Sequence, residues 1–213
     1  MTESTSSQPS QTQGIDVSHH QGTVDWAQVL QAGYRFAYIK ATDGITYVDP
    51  MFQTNWEGAK AAGLLRGAYH FFEADDDAQQ QAQNFLNAVS LGAGDLPPVL
   101  DVESSSTSSQ VSTSAIIDGV ETWLKTVAEA VGVTPIIYTD CGYWNSLDTQ
   151  QFASYPLWIA EYGVSSPTLP TGWTSWTFWQ HSETGQVSGI QTAVDLNLFQ
   201  GSLRQLQKMV IGG

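Results

Sequence analysis

Between Ile15 and Val131, short apolar runs alternate four times with amphipathic helical stretches, and no other feature constrains the fold as strongly. Residues 15–18 form a first strand, and residues 25–32 a short helix closed by Gly33. Residues 35–41 form a second strand. Asp49 and Pro50 then read as an N-cap and first helical position of a helix that stops at Gly63. A third strand over residues 65–72 leads into a helix with Ala78, Ala82, Phe85, Leu86 and Val89 on one face. A fourth strand over residues 99–103 precedes a helix over residues 114–131, which buries Ile117, Val120, Leu124 and Val127 before Gly132. Residues 135–139, 157–160, 176–181 and 192–196 supply further strands, and residues 199–210 a final helix. Repeated β–α steps with short connections predict a mainly parallel sheet covered by helices. The aromatic-rich, helix-poor second half predicts that this regularity decays. The expected architecture is therefore α/β: an irregular TIM-like β/α barrel whose last strands deviate, with an open doubly wound sheet as the alternative. No glycine-rich phosphate loop opens a helix, which argues against a nucleotide role.

The chain's 213 residues suit one domain, expected over residues 14–213, after a disordered polar tail over residues 1–13. That tail lacks the basic and apolar segments of a secretory signal, and no stretch is long enough to span a bilayer. A net charge of −14, from 21 acids against 7 Lys and Arg, repels phosphate backbones and excludes nucleic acid as a partner. With Cys141 as the single cysteine, no intrachain disulfide forms, and packing must supply the stability. It reads as an inert side chain. A monomer is expected.

Four acids share one position relative to apolar neighbours. Asp16 lies between Ile15 and Val17, Asp101 and Glu103 alternate with Leu100 and Val102, and Asp195 lies between Val194 and Leu196. Side chains two apart on a strand share a face, with Cα atoms roughly 6.6 Å apart. If the apolar set packs on the helices, all four carboxylates point into the barrel mouth, where barrel enzymes keep their catalytic groups. Like charges in a cleft push one pKa up, leaving one acid able to donate a proton and the other ionised. Glycoside hydrolysis needs that division. Taken singly, each acid reads more readily as a strand-end acid bound by water or backbone; the shared pattern of four reverses that. The serine-rich stretch 104–109 after the fourth strand is a connector expected on the rim of the same cleft.

The segments GIDVSHHQG (14–22), KATDG (40–44), YVDPMF (47–52), GAYHFF (67–72), PVLDVE (98–103), PLWIAEY (156–162), WTFWQHS (176–182) and VDLNLF (194–199) occur in an order that resembles glycoside hydrolase family 25. These are the Chalaropsis-type lysozymes, N-acetylmuramidases that cut bacterial peptidoglycan. The resemblance implies an irregular β/α barrel, no metal or organic cofactor, and glycan strands of the bacterial wall, outside the producing cell, as partner. It implies that Glu103 is the general acid and that Asp101 assists, either by orienting the substrate's 2-acetamido group for attack on the anomeric carbon or beside a water activated across the cleft by Asp16 or Asp195. Asp16 and Asp195 are expected to position sugar or tune the pair. Asp43 stands where the family usually carries glutamate.

Tyr69, Tyr138 and Trp158 are candidates for stacking or hydrogen bonding to glycan, with a core role as the alternative. His19, His20, His70 and His181 show no zinc-ligand spacing. Two rival functions remain: a chitinase-like hydrolase of acetamido sugars and a catalytically inactive wall-binding module.

Overall fold

The computed structural model describes residues 11–104 and 111–213. The chain runs β1 (Thr12–Val17), a 3-10 turn (His19–Gln21), α1 (Trp26–Gln31), β2 (Phe36–Asp43), β3 (Tyr47–Val48), α2 (Phe52–Ala62), β4 (Leu65–Phe71), α3 (Ala78–Ala88) and β5 (Val99–Asp101). It continues through α4 (Thr113–Val131), β6 (Ile136–Asp140), α5 (Cys141–Ser146), β7 (Leu157–Ala160), β8 (Phe178–Gly185), β9 (Val194–Phe199) and α6 (Leu203–Leu206).

The strands close a barrel of eight staves. β1, β2, β4, β5, β6, β7 and β8 pair in parallel, and β9 enters antiparallel between β8 and β1 to complete the ring. β3 folds back on the end of β2 outside the ring. The expected barrel with deviating last strands is what forms.

Period-two alternation splits the core into two layers. Ile15, Val17, Ala37, Ile39, Leu100, Val102 and Val194 face outward onto the helices, where Val120, Trp123, Leu124 and Val127 of α4 meet them. Phe36, Tyr38, Val99, Ile136, Trp158, Phe178 and Phe199 fill the interior. Rings this large need small neighbours. A Cβ on Gly14 would lie 2.4 Å from the Phe36 ring, and one on Gly67 would lie 2.1 Å from Tyr38, each glycine being the register partner of that aromatic residue across a parallel pair. Asp25, Asp77 and Ser112 cap α1, α3 and α4 with side-chain oxygens, and left-handed Gly63 and Gly132 end α2 and α4.

One polar cluster lies in the outer layer. His70 is fully buried, stacked on Trp123 and hydrogen-bonded to Thr42 Oγ1 (2.7 Å) and Gln81 Oε1 (3.0 Å). Gln81 also accepts from the Glu73 amide and donates to the Glu73 carbonyl, so its orientation is fixed. His70 therefore donates from Nε2 and accepts at Nδ1. Burial pushes its pKa down to about 4.

Several boundaries differ from expectation. Thr12 and Gln13 are not tail but strand, paired with Phe199 and Leu198. α2 begins at Phe52 rather than Pro50, because the Asp49 carboxylate accepts from the Met51 amide and holds a turn ahead of the helix. The final helix shrinks to Leu203–Leu206: barrel closure uses Phe199, and helix starts only after the Ser202–Gln205 capping box. α5 and β3 were not anticipated. Residues 1–10 of the expected tail, and 105–109 of the serine-rich stretch, lie outside the described residues.

Candidate active site

Asp16, Asp101, Glu103 and Asp195 line one cavity of about 300 Å³ at the barrel mouth. β1 and β5 deliver their acids at their C-terminal ends. β9 runs the other way, so Asp195 arrives from its N-terminal end as the register partner of Asp16. The inward alternation expected from Ile15/Val17, Leu100/Val102 and Val194/Leu196 holds for all three segments.

Asp16 is almost fully buried. Its Oδ2 accepts from Gln180 Nε2 (2.9 Å) and Asn197 Nδ2 (2.7 Å), and its carboxyl is hydrogen-bonded to Asp195. Burial raises the pKa of Asp16, opposed by these three hydrogen bonds. Asp195 is pushed up to about 8, by burial first and then by the charge of Asp16. The proton of this pair thus rests on Asp195 and is donated to Asp16.

The second pair behaves likewise. Asp101 is raised well above the ordinary carboxylate range by burial first and by the charge of Glu103 next, with Lys40 opposing. Asp101 and Glu103 are hydrogen-bonded to each other, and Asp101 Oδ1 is buried without a hydrogen-bond partner. A hydrogen bond between the two carboxyls requires a proton, and burial favours the protonated form at Asp101.

Tyr138 and Trp158 form the floor. Tyr138 OH donates to Gln180 Oε1 (2.7 Å), as does Tyr162 OH (2.6 Å), and Trp158 Nε1 donates to Asn197 Oδ1 (2.9 Å). The Trp158 ring is 2% exposed and packs on Tyr38, Tyr138 and Phe178, which leaves no face open for stacking. Tyr69 stands between the acid pairs; burial and the charges of Asp16 and Asp101 keep its hydroxyl protonated.

Lys40, Phe71, Tyr162, Gln180, Glu183, Ser18 and His20 also line the cavity and were not singled out from the sequence. Asn197 was legible in principle, since it follows Asp195 by two on the same strand face, whereas Gln180 was not. Tyr162 lies past β7, where no period applies. Asp43 sits outside the cavity and accepts from Lys40 Nζ at 2.7 Å. Buried Asp49 accepts from the His19 amide and from His19 Nδ1 (2.8 Å), anchoring the turn that carries His20. Among the described residues no cluster of His, Cys, Asp and Glu could hold a metal ion. Burial raises the pKa of the Cys141 thiol, as do the charges of Glu161 and Asp140.

A family model described as glycosyl hydrolases family 25 matches residues 15–190. The chain is 39% identical over 204 residues to lysozyme M1 of Streptomyces globisporus, covering 91% of this chain and 69% of that protein. It is 31% identical to the N,O-diacetylmuramidase of Chalaropsis sp, covering 94% and 99%. The bacterial lysozyme from Streptomyces coelicolor superimposes with a TM-score of 0.90 at 37% identity, over 94% of this chain and 97% of that one.

Proposed function

The chain belongs to glycosyl hydrolase family 25 and is a glycoside hydrolase of the lysozyme type, and from that premise we propose that it cleaves the β-1,4 bond between N-acetylmuramic acid and N-acetylglucosamine, with Glu103 as general acid and Asp101 assisting. The substrate is bacterial peptidoglycan, acted on outside the producing cell. One domain, from the start of β1 onward, carries the activity, and the chain works as a monomer.

The observation that carries this reading is the hydrogen-bonded Asp101–Glu103 pair at the wall of a cavity of about 300 Å³ at the barrel mouth. A buried carboxyl and a half-buried one in contact hold one proton between them. An acetamide N–H presented to Asp101 favours the ionised form there, which shifts the shared proton toward Glu103. Substrate thus loads the acid next to the leaving oxygen. The acetamide, held by Asp101, attacks the anomeric carbon through its carbonyl oxygen as the glycosidic bond breaks, and Glu103 protonates the departing glycosidic oxygen, which leaves as a hydroxyl. Glu103 then removes a proton from the water that opens the oxazolinium-like intermediate.

A water activated by Asp16 or Asp195 is less well supported. Asp16 already accepts two amide donors and the proton of Asp195, and neither group is a free base. Asp16 and Asp195 instead shape one side of the cleft in which the sugar rests, with Tyr69, Tyr138 and Trp158 supporting it from below.

Mass spectrometry of digested peptidoglycan tests the reading, with fragments carrying reducing-end muramic acid expected. Reducing-end glucosamine, turnover of chitin oligomers alone, or binding to sacculi without new reducing ends would each overturn it. NMR of the fresh product decides the route: an inverted anomer excludes the acetamide as nucleophile.

A further inference from the structure

β2 changes phase in its middle. Its register with β4 slips between Lys40 and Thr42, leaving Ala41 without a partner: a β-bulge. In a regular strand, residues three apart point to opposite faces. Here Ala41 packs in the outer core, and Thr42 also faces outward, onto His70. That extra outward residue returns Asp43 to the same side as Lys40.

The consequence is an ion pair that an unbroken strand could not make. Lys40 Nζ lies 2.7 Å from Asp43 Oδ2 and 4.6 Å from the centroid of the Phe71 ring, with Tyr47 of β3 at 5.9 Å. Both side chains are largely screened from solvent, at 16% and 26% exposure. Lys40 and Phe71 line the cavity, while Asp43 stands behind them, hydrogen-bonded to Glu73. Among the described residues Lys40 is the one Lys or Arg lining a cavity that also holds Asp16, Asp101, Glu103, Glu183 and Asp195. The groups facing its ammonium are Asp43 on its own strand, Tyr47 on β3, Phe71 and Glu73 at the end of β4, and Asp101 on β5.

We propose that Asp43 is a positioning residue: placed by the bulge at Ala41, it clamps Lys40 on the Phe71 ring so that a fixed positive charge stands beside the Asp101–Glu103 pair. This deepens the proposed hydrolase reading and rests on it for its meaning. An acid pair that must work with one proton needs a charge balance that does not drift, and a lysine on a flexible stem supplies one only if held. Asp43 holds it from outside the cleft, without adding a carboxylate to the sugar-facing wall.

The test is an NMR titration of the Asp101 and Glu103 side-chain carboxyl carbons in the full chain, which needs no turnover. A cation beside the pair favours its ionised forms, so Lys40→Met should move both titration steps upward by about one pH unit. Asp43→Asn should move them upward too, because the released ammonium leaves its place. Asp43→Glu should restore the wild-type steps, and the Lys40→Met/Asp43→Asn double variant should match Lys40→Met alone. Phe71→Leu, which removes the ring under the ammonium, should shift the steps in the same upward direction and serves if Asp43→Asn loosens the fold. A downward shift in Asp43→Asn, expected if Asp43 acts only as a negative neighbour, overturns the proposal. So does an unchanged titration in Asp43→Asn or in Lys40→Met. A wild-type digest without reducing-end muramic acid would remove the muramidase reading while leaving the titration result in force.

Discussion

Asp16 and Asp195 face each other as register partners across β1 and β9, and a single proton serves both carboxyls. They stand 179 residues apart in the sequence. Their meeting defines one side of the cleft, as the Asp101–Glu103 pair defines the other.

Replacing Asp195 by Asn keeps a donor facing Asp16 and removes the titration. In the native protein Asp195 holds its proton up to about pH 8, whereas the unfolded chain releases it near the ordinary value of 3.8. The native state therefore binds the extra proton across that window, and this contribution to stability is full below 3.8 and lost as pH rises through 8. Melting temperatures of Asp195→Asn, taken relative to wild type from pH 4 to 9, should show that decline removed. An identical pH dependence in both proteins would refute the shared proton.

Glu103→Gln removes the transferable proton and preserves shape. Turnover of peptidoglycan should fall by about 10²–10⁴-fold, the range typical of general acid–base catalysis, with melting behaviour little changed. Retained activity would mean that Glu103 is not the acid.

His70 should stay neutral across most of the acid range. Its imidazole signals should remain those of the Nε2–H tautomer from pH 8 to 5 and shift only near pH 4. Because the unfolded chain protonates near 6.5, stability is full above that value and erodes as pH falls from 6.5 to 4, by about 3 kcal/mol if the whole shift is expressed. A midpoint near 6.5 in the folded protein would contradict the buried assignment.

Gln180→Leu strips Tyr138 and Tyr162 of their shared acceptor and Asp16 of one donor. Each buried polar group left unpaired costs about 1–3 kcal/mol, so a clear drop in melting temperature is expected together with weakened activity. A variant as stable as wild type would show that solvent reaches these groups.

Gly67→Ala forces a methyl against the Tyr38 ring and should destabilise by about 1–3 kcal/mol, with partial recovery when Tyr38 is trimmed to Leu. Calorimetry on the single and double variants checks both halves.

The barrel and its four inward acids were legible because they rest on period-two alternation and on β–α order, which the sequence carries locally. Ile15 and Val17 around Asp16, or Leu100 and Val102 around Asp101, report their face without any partner strand. The network around Gln180 was not legible, since its meaning comes from Tyr138, Tyr162 and Asp16, which lie on other strands and loops. Lys40 and Asp43 were hidden for a different reason. Alternation assigns them opposite faces, and only the bulge at Ala41, a property of pairing with β4, reverses that. Trp158 looked like a sugar platform from its chemistry, yet interior packing consumes both its ring and its N–H. The tail boundary slipped because Thr12 and Gln13 become strand only when β9 returns to meet them.

The antiparallel entry of β9 between β8 and β1 joins the earliest strand of the barrel to the last. Take β9 away and the ring opens between β8 and β1, with Asp16 at the gap and its proton-sharing companion missing. Enclosure of the cleft therefore depends on the last strand of the barrel, and without β9 Asp101 and Glu103 would lack the wall that sets their chemistry.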